Sequence, residues 1–307
     1  MNYDLAILGG GPAGVSAGVY ASRKQLKTIF ITKDYQSQSA VSEEVQNWIG
    51  TPKISGADLA KSFETHLKAY AGDIVEIKEG EMITTVTKVD GGFNIKTDKG
   101  EYTAKTVLIS TGSHRRKLTV TGAEIFDNKG ITYCATCDGP LFSGQDVVVI
   151  GGGNAGFETA AQLLAYTKSV TLFQRGSEYR ADPVTVKKVL SHPNMTGLTN
   201  TRLVEIKGDK FVNELIYKIG DDGEETSIKT TGIFAEIGSV PTTGFVKDLV
   251  KLDEFNRIVV DPRNQRASVD GVWAAGDCTD GLYHQNNIAA GDAVKALEDI
   301  YQFIHAK

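Results

Sequence analysis

The sequence predicts an α/β chain of two Rossmann-like three-layer nucleotide-binding domains, the second inserted in the first. Three observations predict it. A strand, glycine loop, helix and second strand occur twice, about 140 residues apart. Short β segments with turn signals follow each unit. A final helix comes last and has no nucleotide unit of its own.

The first unit opens with an apolar run at 4–8 (DLAIL), which meets GGGPAG directly. A helical pattern then runs from Pro12 to Arg23, and a strand from Lys27 to Ile31. Residues 75–110 read as short strands broken at Asp90-Gly91-Gly92 and Asp98-Lys99-Gly100, ending in TVLIS before Thr111-Gly112. The second unit is DVVVI (146–150), GGGNAG, a helix to about Tyr166 and SVTLF (169–173). A β stretch at 202–231 leads to GIFAEIG (232–238). GVWAAGDCTDG (271–281) and a helix from Ile288 to His305 close the chain. The last helix is expected to complete the first domain. The expected domains are therefore 1–114 with 245–307, and 115–244, with crossings near Ser113–Lys117 and Thr242–Gly244.

Bulk properties narrow the function. The chain has 307 residues, 41% of them hydrophobic, enough for two cores. Its 33 glycines suit close backbone approaches to ligands. A net charge of −5 argues against nucleic acid or an anionic membrane as the main partner. No apolar run approaches the roughly 18 residues of a spanning helix. The chain enters a strand at once, without a basic region or cleavage site, so a cytoplasmic protein is expected. Three cysteines make a poor structural framework, and a close pair in such a setting points to catalysis or metal binding.

Gly9-x-Gly11-x-x-Gly14, with Pro12 and Ala13 between, fits the dinucleotide fingerprint. The first glycine makes the turn, the second admits the pyrophosphate, and the third lets helix and strand pack. Asp34 is the candidate ribose acceptor, with Glu43 and Glu44 as alternatives. Gly151-x-Gly153-x-x-Gly156, enclosing Asn154 and Ala155, repeats the pattern. Its second strand ends in Gln174-Arg175-Gly176-Ser177-Glu178-Tyr179-Arg180. An acid there would accept the 2′-hydroxyl of NAD, whereas arginine accommodates the 2′-phosphate of NADP. No acid stands at the tip, so Arg175 and Arg180 lean toward NADPH, with NADH as the alternative. Glu178 lies between them, placed to pair with one.

Cys134-Ala135-Thr136-Cys137-Asp138 admits several readings. Two cysteines at this spacing can close a small disulfide ring whose thiolate attacks a partner's disulfide. Asp138 would carry a proton for a thiol if its pKa is raised. Zinc would need four ligands, and only Cys278 and dispersed histidines remain; no metal is expected. Inert buried thiols, or a sensing rather than a turning-over pair, are the other readings. Cys278, beside Gly276-Asp277, reads as a packed small residue.

Two glycine fingerprints, CATCDGP before the second, and AAGDCTD before a final helix together resemble the low-molecular-weight thioredoxin reductases. The resemblance covers essentially the whole chain. It implies FAD in the discontinuous domain and NADPH in the inserted one. It places Gly9, Gly11 and Gly14 at the FAD pyrophosphate, Thr111, Gly112, Gly276 and Asp277 along the FAD, and Asn47, His284, Gln285 and Asn286 near the isoalloxazine. It implies that electrons pass from nicotinamide through FAD to Cys134–Cys137, then to a thioredoxin-like protein, in a homodimer. The chain departs from the family at QRGSEYR, where HRRxxxR is usual, at Gln36-Ser37-Gln38 for Gly-Gly-Gln, and at His284-Gln285-Asn286 for Arg-Gln-Ala. The stretch Val45–Tyr70 is similar to the flavoprotein subunit of alkyl hydroperoxide reductase, which prefers NADH and carries an N-terminal thioredoxin-like extension that this chain is expected to lack. The alternatives are an NADH-preferring reductase of a peroxiredoxin-system carrier or an FAD-dependent dithiol oxidase using oxygen.

Overall fold

The computed structural model describes residues 2–42 and 44–306. The chain forms two compact units, Met1–His114 with Val240–Lys307, and Arg115–Ser239.

Unit 1 begins with β1 (Tyr3–Leu8), α1 (Pro12–Arg23), β2 (Thr28–Thr32), α2 (Gly56–Ala71), β3 (Val75–Glu79), β4 (Ile83–Val89), β5 (Gly92–Thr97), β6 (Glu101–Ile109) and β7 (Ser113–Arg115). The sheet order is β3-β2-β1-β6-β5-β4. β6 changes character along its length. Its first residues are exposed or only partly buried, apart from Ala104, and pair antiparallel with β5, with Phe93 opposite Ala104. Its end, Thr106–Ile109, is continuously buried and lies parallel to β1. That is the pattern of a strand covered on both faces.

Unit 2 comprises β8 (Ile131–Thr132), α3 (Ala135–Asp138), β9 (Asp146–Ile150), α4 (Asn154–Leu163), β10 (Ser169–Phe173), α5 (Pro183–Leu190), β11 (Met195–Leu198), β12 (Thr201–Gly208), β13 (Val212–Ile219), β14 (Thr226–Lys229) and β15 (Gly232–Ala235). Its parallel sheet runs β11-β10-β9-β15-β8, and β12-β13-β14 form a separate antiparallel sheet. One apolar cluster joins one face of the parallel sheet to α4 and α5; the other joins the opposite face to β12 and β13. α5 starts at an Asp182 N-cap, whose carboxylate accepts from the Thr185 N–H, with Pro183 in the first turn.

The chain returns to unit 1 through β16 (Ser239–Pro241), β17 (Val272–Ala274) and α6 (Asn286–His305). β17 adds to the unit 1 sheet parallel to β6. α6 buries Ala289, Ala293, Ala296, Leu297 and Ile300, a single helical face. It packs on α1 and is tied to β17 by Trp273 Nε1, which donates to Asp299 Oδ2 at 2.9 Å. The compact units divide at 239/240, whereas the sequence reading placed the second crossing at 244/245. Residues just after the crossing already belong to unit 1: Val246 is in its core, and Thr243 Oγ1 donates to Asn256 O.

Helix and strand meet closely at each glycine turn. A Cβ on Gly14 would run into the Gly9 carbonyl, and one on Gly156 into the Gly151 carbonyl. Gly291, within α6, would meet nothing within 4 Å. Gly14→Ala should therefore destabilise by about 2 kcal/mol or more through overpacking. Gly291→Ala should stabilise by roughly 0.5–1 kcal/mol through helix propensity. Urea denaturation of the two variants checks this; shifts of the same sign would contradict it.

Candidate functional site: two nucleotide clefts and a disulfide

In unit 1, β1 delivers the chain to Gly9, at φ +118°. A Cβ there would strike the Ser110 carbonyl, so the turn needs glycine on both counts. Gly11 caps α1 and Pro12 occupies its first turn. A Cβ on Gly11 would come no nearer than 4.0 Å to anything, Ser37 Cβ being its nearest neighbour. Backbone N–H groups and the positive end of a 12-residue helix thus border open space, which suits an anion.

That space is a cleft of roughly 510 Å³. Of the residues expected there, Gly9, Gly11, Pro12, Ala13, Asp34, Thr111, Gly112, Gly276, Asp277 and Asn286 line it. Gly14 lies behind the turn. Asp34 follows β2, and its Oδ1 accepts from the Gln36 N–H at 2.9 Å. Glu43 lies outside the described residues. Glu44 does not line the cleft; its ion pair with Lys53 holds its carboxyl below the usual range.

Asn47, His284 and Gln285 are not cleft-lining residues. They belong to a polar seam at the start of α6. Asn47 Nδ2 donates to Gln285 Oε1 at 3.2 Å, and the Asn47 carbonyl accepts from Asn287 Nδ2 at 2.6 Å. Asn286 Nδ2 donates to Ser39 Oγ at 3.1 Å. His284 Nε2 is buried without a protein partner among the described residues. Gln38, in the segment that departs from Gly-Gly-Gln, donates to Asp277 Oδ2 at 3.0 Å and to Ser113 Oγ at 3.1 Å. The altered turn thus still lines the cleft and braces Asp277. Sequence reasoning missed Glu81, Met82 and Ile83, which the Glu81 N–H to Thr32 carbonyl bond brings to the cleft. No motif announces them.

Unit 2 repeats the turn. Gly151 has φ +126°, Gly153 caps α4, and a Cβ on Gly153 would meet nothing within 4 Å. The cleft, roughly 870 Å³, is lined by Gly151, Gly153, Arg175 and Arg180 among the expected residues. Asn154, Ala155 and Gly156 do not line it. They form the first turn of α4, and Asn154 Oδ1 accepts from the Asp182 N–H at 2.8 Å. Gln174 staples the arginine loop to the glycine loop: its Oε1 accepts from the Gly152 N–H at 3.3 Å, and its Nε2 donates to the Glu178 carbonyl at 2.7 Å. The Arg180 N–H adds a bond to the Gly152 carbonyl at 2.8 Å. Glu178 does not pair with either arginine; among the described residues it makes no ion pair. Arg116, Lys117, Arg202 and Glu236 complete the charged lining and escaped sequence reasoning.

Cys134 and Cys137 form a disulfide with Cα atoms 5.3 Å apart. Cys134 is the N-cap of α3, and the Cys137 N–H donates to its Sγ at 3.2 Å. Both cysteines are part-exposed. Asp138 Oδ2 accepts from Thr132 Oγ1, and burial pushes the Asp138 carboxyl up despite that bond. Cys278, by contrast, is fully buried, with its Sγ near the Ala275 and Ile109 carbonyls, and its thiol is pushed up to about 12. It is packed in the core. Among the described residues no three His, Cys, Asp or Glu side chains gather as a metal site, and no helix is long and apolar enough to cross a membrane.

The chain is similar to a Bacillus subtilis (strain 168) protein named NADH dehydrogenase, 37% identical over 303 residues, covering 98% of this chain and 58% of that protein. It is 38% identical over 296 residues to an alkyl hydroperoxide reductase subunit of Xanthomonas campestris pv. phaseoli, covering 96% and 56% respectively. It thus spans somewhat over half the length of these curated relatives. Among solved structures, thioredoxin reductase from Giardia duodenalis superposes with a TM-score of 0.92 at 32% identity, covering 98% of each chain. The fold is that of a thioredoxin reductase with two nucleotide-binding domains. The family model for pyridine nucleotide-disulphide oxidoreductases matches residues 3–293, taking in both glycine turns and the disulfide, and the chain belongs to that family.

Proposed function

We propose that the chain is an NADPH-dependent flavoprotein disulfide reductase acting on a thioredoxin-like protein. The observation that carries the reading is the part-exposed Cys134–Cys137 disulfide in a chain with two glycine-turn clefts. In the net reaction NADPH and a proton reduce a partner disulfide, giving NADP⁺ and the partner dithiol. Bound FAD would supply two-electron exchange between nicotinamide and disulfide.

The residues of unit 1 fit FAD because the space beside Gly11 is open where a phosphate needs to approach backbone N–H groups. On this reading Gly9, Gly11, Pro12, Ala13 and Gly14 shape the diphosphate site, and Asp34 accepts from a ribose hydroxyl. Thr111, Gly112, Gly276 and Asp277 flank the chain of the cofactor, and Asn47, His284, Gln285 and Asn286 order its ring end. In unit 2, Gly151, Gly153 and the first turn of α4 through Asn154, Ala155 and Gly156 hold the second diphosphate. Arg175 and Arg180 meet the 2′-phosphate, since no ion pair among the described residues engages either one. Cys134 and Cys137 exchange with the partner, and Asp138 holds a proton for the leaving thiolate. A second reading, NADH as donor, is favoured by the name of the Bacillus relative.

An anaerobic titration distinguishes the donors. NADPH should bleach the flavin absorbance at lower concentration than NADH; if neither bleaches it, the reductase reading is lost. Arg175→Ala should raise the KM for NADPH about tenfold, the loss of one charge-assisted contact, and leave that for NADH nearly unchanged. Equal changes would mean that Arg175 does not read the 2′-phosphate.

Cys134→Ser and Cys137→Ser should each keep flavin bleaching and lose thioredoxin reduction. Full thioredoxin turnover in both would overturn the role of the pair. Asp138→Asn should slow the disulfide step by about 10²–10⁴-fold, the range of a positioned general acid. It should also flatten the dependence of that step on pH above the usual carboxylate range, because the raised Asp138 titration is removed.

A further inference from the structure

Glu236 directly follows β15, the strand beside β9 in the unit 2 sheet. Its N–H donates to the Ile150 carbonyl at 2.8 Å. A Cβ on Gly151 would run into the Glu236 carbonyl. The residue therefore stands level with the glycine turn and is part of the cleft lining. Thr159 Oγ1, from α4, donates to its Oε1 at 2.9 Å. Thr159 is buried, so the carboxyl is anchored on its inner side.

The sheet order fixes which half of a dinucleotide Glu236 would meet. β10 and β11 lie on one side of β9, and β15 and β8 on the other. A dinucleotide crosses such a reversal with its diphosphate at the helix N-terminus. Arg175 and Arg180 follow β10, so the adenosine half lies on that side. The nicotinamide half then lies over β15.

We propose that Glu236, held by Thr159 at the end of β15, faces the nicotinamide half of the dinucleotide and sets the balance of affinity between its oxidised and reduced forms. This rests on the reading of unit 2 as the dinucleotide site. The physical basis is one unit of charge: the oxidised ring is cationic and the reduced ring is neutral. An ionised Glu236 attracts the first and is indifferent to the second. A protonated Glu236 loses that discrimination.

Burial, the largest influence, pushes the Glu236 carboxyl up, opposed by Arg115 and the Thr159 hydroxyl and reinforced by Glu158. Arg116, Lys117 and Arg202 line the same cleft. The carboxylate therefore forms at a pH above the ordinary glutamate range. As pH rises through that titration, the oxidised form gains on the reduced one. By linkage, binding of the oxidised form lowers the pKa of Glu236 by the same factor.

The test uses the purified intact protein and calorimetry between about pH 5.5 and 8.5. The probes are NADP⁺ and tetrahydro-NADP, a redox-inert mimic of the reduced form. The ratio of their affinities should rise roughly tenfold toward NADP⁺ over this range, one pKa unit of coupling. Glu236→Gln, which keeps an acceptor for Thr159, should leave the ratio flat. Thr159→Val, which removes a bond favouring the carboxylate, should move the rise to higher pH. Adenosine 2′,5′-bisphosphate lacks the nicotinamide half and should bind wild type and Glu236→Gln alike at each pH. A flat ratio in wild type, or an unchanged slope in Glu236→Gln, would falsify the inference and leave the dinucleotide site standing. Failure of both nucleotides to bind at any pH would remove the site and the inference together.

Discussion

Every feature of the two clefts depends on a helix brought against the strand that precedes it. The contact is backbone to backbone: Gly14 lies on the Gly9 carbonyl and Gly156 on that of Gly151. No other residue type permits it. Once made, it points the N-terminus of α1 or α4 past the end of the sheet, where Gly11 or Gly153 leaves open space. The same turn holds Gly9 and Gly151 at positive φ. Steric absence, rather than any attractive group, builds the anion site, and the helix dipole then gives it a sign.

The two clefts differ in how they supplement that sign. The unit 2 cleft carries Arg116, Lys117, Arg175, Arg180 and Arg202 against one acid, Glu236. Arg202 is compensated by Asp221 and Lys117 by Asp127. The unit 1 cleft instead presents Asp34 and Asp277, with Lys33 and His114 also in its lining, while the Glu81 carboxylate is buried and accepts from Thr97 and Tyr102. Hydrogen-bonding acids suit hydroxyl-rich groups, whereas exposed arginines suit phosphate. On the proposed reading, the acids would meet the hydroxyl-rich part of one dinucleotide and the arginines the phosphates of the other.

Local signals were legible where one residue type alone meets a steric demand. DVVVI, SVTLF and the helix from Pro12 to Arg23 match β9, β10 and α1 residue for residue. Glycine spacing and proline at the first helical turn leave little freedom there. Legibility failed where position comes from long-range pairing. Glu81–Ile83 reach the cleft through long-range pairing, in which the Gly80 and Glu81 N–H groups bond the Lys33 and Thr32 carbonyls, an arrangement with no local signature. Asn154 follows a motif glycine, yet its side chain turns to the Asp182 N–H. The final helix starts at Asn286 rather than Ile288, because two asparagines of poor helix propensity are held by Ser39 and Asn47. Glu236 sits in an apolar strand run, and only the sheet order gives its side chain a meaning.

The disulfide turn shows how little structure the sulfur chemistry requires of the fold. Opening an S–S bond with two electrons leaves two sulfurs that must be stabilised as thiolate or protonated. The Cys137 N–H already points at Cys134 Sγ, so a thiolate on Cys134 would inherit a donor without rearrangement. The other sulfur needs a proton. Asp138 is the next residue, and its carboxyl is pushed toward the protonated form by burial while Thr132 holds its orientation. The two cysteines are therefore chemically unequal before any partner arrives. That inequality arises from one short turn, α3, which is anchored by its packing against α4. The helix that builds the unit 2 nucleotide site thus also seats the disulfide.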